Sequence, residues 1–267
     1  MSVGKRDSGK DVQCQMEQKK DKREKKCTAI VLAAGSGSRM GTAIQKQYLE
    51  LEGKPVLYYC LHVFQESRYI DEIVLVTGER EIDYCREKIV QQYGFDKVVQ
   101  IVAGGKERYE SVYHGLKYVE NGIVFIHDGA RPFVDEEMVE RAYECVLRDQ
   151  ACVVGMPVKD TIKIADQNQY AVQTPDRAYV WQVQTPQVFD AKLVRAAYEK
   201  LIQSGWEKAT DDAMVVERMT EHPVKLVFGS YENIKITTPE DLEIAGLFIR
   251  RSLVDCCLIC YTDCSSS

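Results

Sequence analysis

No apolar stretch approaches the ~20 residues needed to cross a bilayer, and the N-terminus lacks the apolar segment of a secretory signal. Both absences point to the cytosol and to a chain without a membrane partner. Histidine is scarce, with four in 267 residues. No Ser/His/Asp or Cys/His constellation stands out for nucleophilic catalysis. An excess of positive charge is also missing, because the formal net charge is −6. A mildly acidic chain is a poor general binder of nucleic-acid backbone, so any anion must be held by a local cluster. A disulfide framework is not expected either. The ten cysteines read as reduced thiols in a cytosolic chain of this length. Cys60, Cys85, Cys145 and Cys152 sit among apolar residues, as small core groups do.

What remains is 45% hydrophobic sequence, enough for one large domain with a real core. Residues 1–26 are charged and carry almost nothing to bury, which reads as a disordered tail. Residues 252–267 form a second tail with Cys256, Cys257, Cys260 and Cys264, bunched rather than paired across a loop as in structural zinc sites. Between the tails, short apolar runs at 28–33, 73–76, 98–102, 123–127 and 152–156 read as buried strands. They alternate with helical spacings such as Val56, Tyr59, Cys60, Val63 and Phe64, or Met138, Ala142 and Val146. That alternation predicts a Rossmann-like α/β fold, a mostly parallel twisted sheet flanked by helices. The rhythm breaks at 158–183, where alternation without helical spacing predicts an antiparallel excursion: either a β-arm that would gain by packing on a partner subunit or an ordinary hairpin lying on its own domain. Further strands are expected at 224–228 and 234–236, and a helix from Pro239.

The first strand runs into Leu32-Ala33-Ala34-Gly35-Ser36-Gly37-Ser38-Arg39-Met40-Gly41. Glycine permits tight turns that aim backbone N–H groups at an anion, and Arg39 adds a planar charged fork suited to phosphate. This is not the Walker loop, because no Gly-Lys-Ser/Thr follows. It is not the dinucleotide fingerprint either, since Met40 stands where the third glycine belongs, and that disfavours a dehydrogenase. Asp128, next to a buried strand, suits a Mg²⁺ that otherwise keeps water and phosphate oxygens, or it caps a turn. The Gly104–Ser111 loop enters a helix, so its backbone donors and Ser111 could read a base edge.

Leu32–Gly41 with Lys46 resembles the signature of the nucleoside-triphosphate:sugar-phosphate nucleotidyltransferases. Further segments narrow the likeness. Gly104-Gly105-Lys106-Glu107-Arg108 with Ser111-Val112, and His127-Asp128-Gly129-Ala130-Arg131-Pro132, resemble two segments of the 2-C-methyl-D-erythritol 4-phosphate cytidylyltransferase family. Pro157–Thr161, Gln184–Gln187, Thr210–Ala213 and Asn233–Thr237 match as well, in the expected order over about residues 27 to 251. Lys106 and Tyr109 depart from the acidic or amide side chains that many members carry, which puts details of base or ribose recognition in doubt.

The resemblance implies transfer of a cytidylyl group from CTP to 2-C-methyl-D-erythritol 4-phosphate, giving 4-diphosphocytidyl-2-C-methyl-D-erythritol and pyrophosphate, with Mg²⁺ or another divalent cation. It implies nucleotide contacts at Ala33, Ala34, Gly35, Gly37, Gly105, Lys106 and Ser111, and a metal at Asp128. Arg39 and Lys46 are expected to stabilise the transition state. Arg177 and Lys235 are expected to position the acceptor phosphate, with Arg131, Thr161 and Thr210 nearby. The arm is implied to carry Arg177 and Thr161 into a neighbour's active site, making a homodimer with shared sites. Read without the resemblance, Arg177 is a solvated turn residue and Lys235 an edge-strand lysine. His114, His127 and Met138 are expected to be structural. Two alternatives stand beside this reading: a ribitol-5-phosphate cytidylyltransferase, and a non-catalytic nucleotide-binding homologue.

Overall fold

The computed structural model describes residues 25–35, 45–206 and 208–264, with side chains through 251. Most of the charged N-terminal tail, and Gly37 and Arg39 of the glycine-rich loop, lie outside the described residues.

Strand β1 (Cys27–Ala33) is an interior strand of a seven-stranded sheet. Two short strands, β2 (Glu50–Leu51) and β3 (Lys54–Pro55), form a separate hairpin. They lead into helix α1 (Val56–Glu66). Next come β4 (Glu72–Thr77) and the helical stretch α2 (Ile82–Tyr84), which widens into a π-turn over Cys85–Gln91. Then follow β5 (Val98–Ala103), α3 (Arg108–Leu116), β6 (Ile123–Asp128), α4 (Glu136–Asp149) and β7 (Ala151–Pro157). The remaining large elements are β10 (Trp181–Asp190), α5 (Ala191–Ser204), α6 (Asp212–Thr220), β11 (Lys225–Phe228) and α7 (Pro239–Cys264). Between β7 and β10 lies the hairpin of β8 (Ile164–Ala165) and β9 (Ala171–Gln173).

The sheet order is β11-β7-β10-β6-β1-β4-β5. β6, β1, β4 and β5 pair parallel, as does β11 with β7. β10 alone runs against both its neighbours. The sheet is therefore mostly parallel and covered by helices on both faces, as the alternation of apolar runs predicts. Strand period two divides its residues between two cores. Ala29, Val31, Ile73, Leu75, Ile123 and Phe125 face α1 and α4. Ile30, Val74, Val76, Val124 and Ile126 face α3, α5 and α6. A fully buried phenylalanine such as Phe64 or Phe125 contributes roughly 1.5–3 kcal/mol, so these two faces supply most of the hydrophobic stabilisation.

From β1 the chain moves outward through β4 and β5, then crosses to β6 on the other side of β1. That reversal opens a crevice beyond the carboxyl ends of β1 and β6, where open α/β sheets bind ligands.

Two expectations are corrected. The antiparallel excursion is shorter than the 158–183 span suggests, because Trp181–Val183 enters the main sheet as the start of β10 and pairs with β7. Thr161 and Lys163 alternate in sequence, yet only Ile164–Ala165 finds a strand partner. Residues 234–236 form no strand. Ile236 is instead buried in a small cluster with Leu51, Val56 and Ala245, and its N–H donates to the Ala130 carbonyl. The helix expected from Pro239 is present and runs to Cys264.

The turn into β6 requires glycine for two reasons. Gly122 has φ +92, and a Cβ there would lie 2.1 Å from the Lys26 carbonyl oxygen. Gly53 shares the positive φ (+82) but has nothing within 4 Å of a Cβ. Gly53→Ala is expected to cost about 1 kcal/mol, the conformational term alone. Gly122→Ala should cost at least about 2 kcal/mol more. Urea unfolding of the two variants measures the difference, and equal costs would refute the backbone contact.

Candidate active site

The crevice is prepared from below by side chains that fix its floor. At the end of β1, Gln47 is buried, and its amide nitrogen donates to the carbonyls of Ala33 (2.5 Å) and Gly35 (3.1 Å). These bonds hold the start of the glycine-rich loop and set Lys46, the residue before Gln47, on the rim. Across the crevice, the loop after β5 is tied to α3. Glu107 caps the helix, and the Glu110 carboxylate accepts from the N–H groups of Lys106 (2.7 Å) and Glu107 (3.0 Å) in a capping box. The Ser111 hydroxyl accepts from Gly105 N–H (3.1 Å) and donates to the Glu107 carbonyl (3.3 Å). Ser111 thus shapes the loop as well as lining the cavity.

At the end of β6, Thr185 bridges two residues. Its hydroxyl accepts from Asp128 N–H and lies 3.1 Å from His127 Nδ1. His127 Nε2 is 3.0 Å from the Arg131 carbonyl. A carbonyl can only accept, so Nε2 carries the proton and Nδ1 accepts from Thr185. Burial pushes this imidazole down to about 4, which keeps it neutral. His127 is structural, as is His114, whose ring bonds the Ala103 carbonyl.

Asp128 is the charged centre of the site. Lys235 Nζ lies 2.7 Å from one of its carboxylate oxygens and Arg108 Nε 3.3 Å from the other. Burial alone would raise this carboxyl. The neighbouring charges of Arg108 and Lys235 override it and hold the group well below the usual carboxylate range. Arg108 also makes a two-pronged pair with Asp212, at 2.9 and 2.8 Å. Asp212 is fully buried and accepts a further 2.5 Å bond from Tyr198.

Two cavities meet at this cluster. One, of about 450 Å³, is lined by Ala34, Gly35, Lys46, Gly105, Lys106 and Ser111, together with Arg108, Asp128 and Lys235. The other, of about 350 Å³, is lined by Arg131, Thr185, Thr210 and Asp211, again with Arg108, Asp128 and Lys235. In the second, Arg131 donates to the Asn233 carbonyl (2.8 Å), while its buried Nε has no partner among the described residues.

The structure thus gathers Ala34, Gly35, Lys46, Gly105, Lys106, Ser111, Asp128, Arg131, Thr210 and Lys235 into adjoining cavities. Ala33 sits just beneath, through its carbonyl. Thr161 and Arg177 stay apart. Both are exposed, and Arg177 donates to the Lys159 carbonyl (3.1 Å) at the base of the arm. Arg108 and Asp212 join the site from segments that carry the family resemblance, without a sequence feature that points to either. Their pairing across 104 positions left no local signal.

Among the described residues no group of three His, Cys, Asp or Glu side chains is placed to hold a metal. One carboxylate beside a phosphate-sized cavity suits a hard cation that keeps water and substrate oxygens as its other ligands. Asp128 therefore fits Mg²⁺ as a single protein ligand.

Thr185→Val should leave both the Asp128 N–H and His127 Nδ1 without their partner, a loss of about 1–3 kcal/mol in chemical unfolding. Thr185→Ser should retain most of the stability. A valine variant as stable as the wild type would show that the hydroxyl does not bridge these groups.

A sequence model described as IspD: 2-C-methyl-D-erythritol 4-phosphate cytidylyltransferase matches residues 27–251. A 2-C-methyl-D-erythritol 4-phosphate cytidylyltransferase of Lachnospira eligens is 52% identical over 225 residues, covering 84% of this chain and 99% of that protein. One of the same name from Caldanaerobacter subterraneus is 47% identical over 226 residues, covering 84% and 99%. The crystal structure of 4-diphosphocytidyl-2C-methyl-D-erythritol synthase from Anaerococcus prevotii superposes with a TM-score of 0.74 at 37% identity, covering 85% of this chain and 99% of that one. With the crevice at β1 and β6 and the paired cavities around Asp128, these matches establish that the chain belongs to the 2-C-methyl-D-erythritol 4-phosphate cytidylyltransferase family.

Proposed function

We propose that this chain transfers the cytidylyl group of CTP to 2-C-methyl-D-erythritol 4-phosphate, giving 4-diphosphocytidyl-2-C-methyl-D-erythritol and pyrophosphate, a step of isoprenoid-precursor synthesis. The observation that carries this reading is the pair of cavities sharing Arg108, Asp128 and Lys235. One is walled by glycine-rich loops, and the other offers Arg131 and Thr210 to a second anion.

An oxygen of the acceptor phosphate attacks the α-phosphorus of CTP, and the bond to the bridging oxygen of the β-phosphate breaks. A phosphate monoester has a second pKa of about 6 and is largely a dianion at neutral pH. The nucleophile needs no general base, which accords with a neutral, structural His127. What the step needs is neutralisation of charge and alignment of two anions that repel each other. Lys46 on the rim, with Arg39, takes the charge that develops at the α-phosphate. Lys235 and Arg131 orient the acceptor phosphate. The backbone of Ala33–Gly35 and Gly37, with Gly105, Lys106 and Ser111, holds the nucleotide. Mg²⁺ or another divalent cation, held by Asp128, supplies Lewis-acid neutralisation of the triphosphate when bound.

We further propose a homodimer in which the arm delivers Arg177 and Thr161 to the neighbouring site. Ile164, Tyr170, Val172 and Tyr179 of the arm are exposed, Tyr179 by 84%. A two-stranded hairpin with an uncovered apolar surface is marginal alone and gains from a partner. The compartment we propose is the cytoplasm, in keeping with five buried, free cysteines among the described residues. Among those residues no helix is long and apolar enough to cross a membrane.

Pyrophosphate release with CTP and Mg²⁺ is expected with methylerythritol phosphate and weak or absent with ribitol 5-phosphate. Turnover with ribitol phosphate alone would overturn the acceptor assignment, and CTP binding without turnover would favour a binding protein. Mixing an Arg177→Ala chain with a Lys46→Ala chain should restore measurable activity, because one site per mixed dimer escapes both changes. No recovery in a proven mixed dimer would mean that each site is built from one chain.

A further inference from the structure

Arg108 belongs to both cavities and to neither task assigned above. It is the first residue of α3, directly after the glycine-rich loop that walls the nucleotide cavity. Its two terminal nitrogens are bound by Asp212, the first residue of α6. That helix begins beside Thr210 and Asp211, which wall the acceptor cavity. Asp212 is itself immobilised. Tyr198 donates to its carboxylate, and the backbone N–H groups of Asp212 and Ala213 donate to the Gln187 amide oxygen at 3.0 and 2.8 Å. The acidic side chain also lies at a helix N-terminus, where negative charge is favoured. The third nitrogen of Arg108, Nε, is aimed at Asp128, 3.3 Å away.

The charges explain what that donor does. In the structure Lys235 is bound to Asp128 and half-exposed, with 36% of its side chain open. To orient an acceptor phosphate, Lys235 must loosen its hold on Asp128. Leaving a buried carboxylate short of a cation is costly, and a metal taken up by Asp128 needs the same lysine to move aside first. A second cation already at 3.3 Å lowers that cost, provided that something else holds it in place.

We propose that Arg108, anchored by Asp212 and Tyr198, is a positioning residue of the transfer reaction: it compensates Asp128 so that Lys235 is released toward the acceptor phosphate. The inference rests on the assignment of the acceptor cavity made above. Lysine cannot replace this arginine, since a single ammonium cannot form the two-pronged pair and reach Asp128 at once.

The test is a double-mutant cycle on steady-state turnover with CTP and methylerythritol phosphate. Arg108→Lys should lower kcat/KM for the acceptor by about 10- to 100-fold, with CTP affinity within about threefold of wild type. In a Lys235→Ala background the same change should cost less than about threefold, because the residue it serves is gone. Tyr198→Phe, which removes only the anchor's hydrogen bond, should show the same pattern more weakly and answers the question if Arg108→Lys does not fold. Equal, multiplicative losses in both backgrounds would mark Arg108 as merely structural and overturn the inference, as would an equal loss of CTP affinity. Wild-type chain that releases no pyrophosphate would instead refute the functional assignment itself.

Discussion

A buried carboxylate with too little water around it must be answered by cations, and in this chain that carboxylate is Asp128. Its answer comes from far along the sequence: Arg108 from the start of α3, and Lys235 from the stretch before α7. Satisfying one acid therefore draws together the loop after β5, the end of β6 and the segment 233–237. The two cavities are the space left between elements that this cluster fixes. Their polarity follows from the same constraint. Arg108 and Lys235 answer Asp128 and Asp212, and Lys46, Lys106 and Arg131 line the same cavities beside the anions to be joined.

The fold serves this by rigidity at the sheet and adjustability at the rim. β1 and β6 are covered on both faces, so their carboxyl ends are held by the two cores and by register, Leu32 opposite Asp128. Gln47, Thr185, Glu110 and Gln187 then connect strand ends and helix starts to the loops between them. None of these four needs to touch substrate. They satisfy backbone groups that would otherwise be orphaned at the crevice, and in doing so they fix the groups that line it.

The parallel core was legible in the sequence because buried strands and amphipathic helices leave periodic patterns that survive without context. The glycine-rich loop was legible because its spacing excluded two commoner phosphate loops. Trp181–Val183 was misread because alternation signals a half-exposed strand but does not say which sheet it joins. Ile234–Ile236 looks like a strand because apolar residues at spacing two can also be buried by two helices and a hairpin, as Ile236 is. Arg108 and Asp212 stood in matched segments, yet their partnership is a tertiary event. An arginine that opens a helix and an aspartate that opens another look locally like ordinary first-turn residues. Lys235 is the opposite case: its local signal is that of an edge lysine, the family resemblance implies a site role for it, and its pairing with Asp128 puts its charge in the cluster.

β10 has a consequence for how such a chain can change. It is the one strand that runs against its neighbours, so it begins at the rim where β7 ends, and Trp181 sits opposite Pro157. The arm therefore leaves and re-enters the body at one paired doorway. Its length can drift with little effect on the sheet, since closing a longer loop costs only about 0.6 kcal/mol per doubling. Insertions and deletions in the arm are separated from the core that must fold. The surface that would choose a partner can diversify among descendants while the chemistry beside it is inherited unchanged.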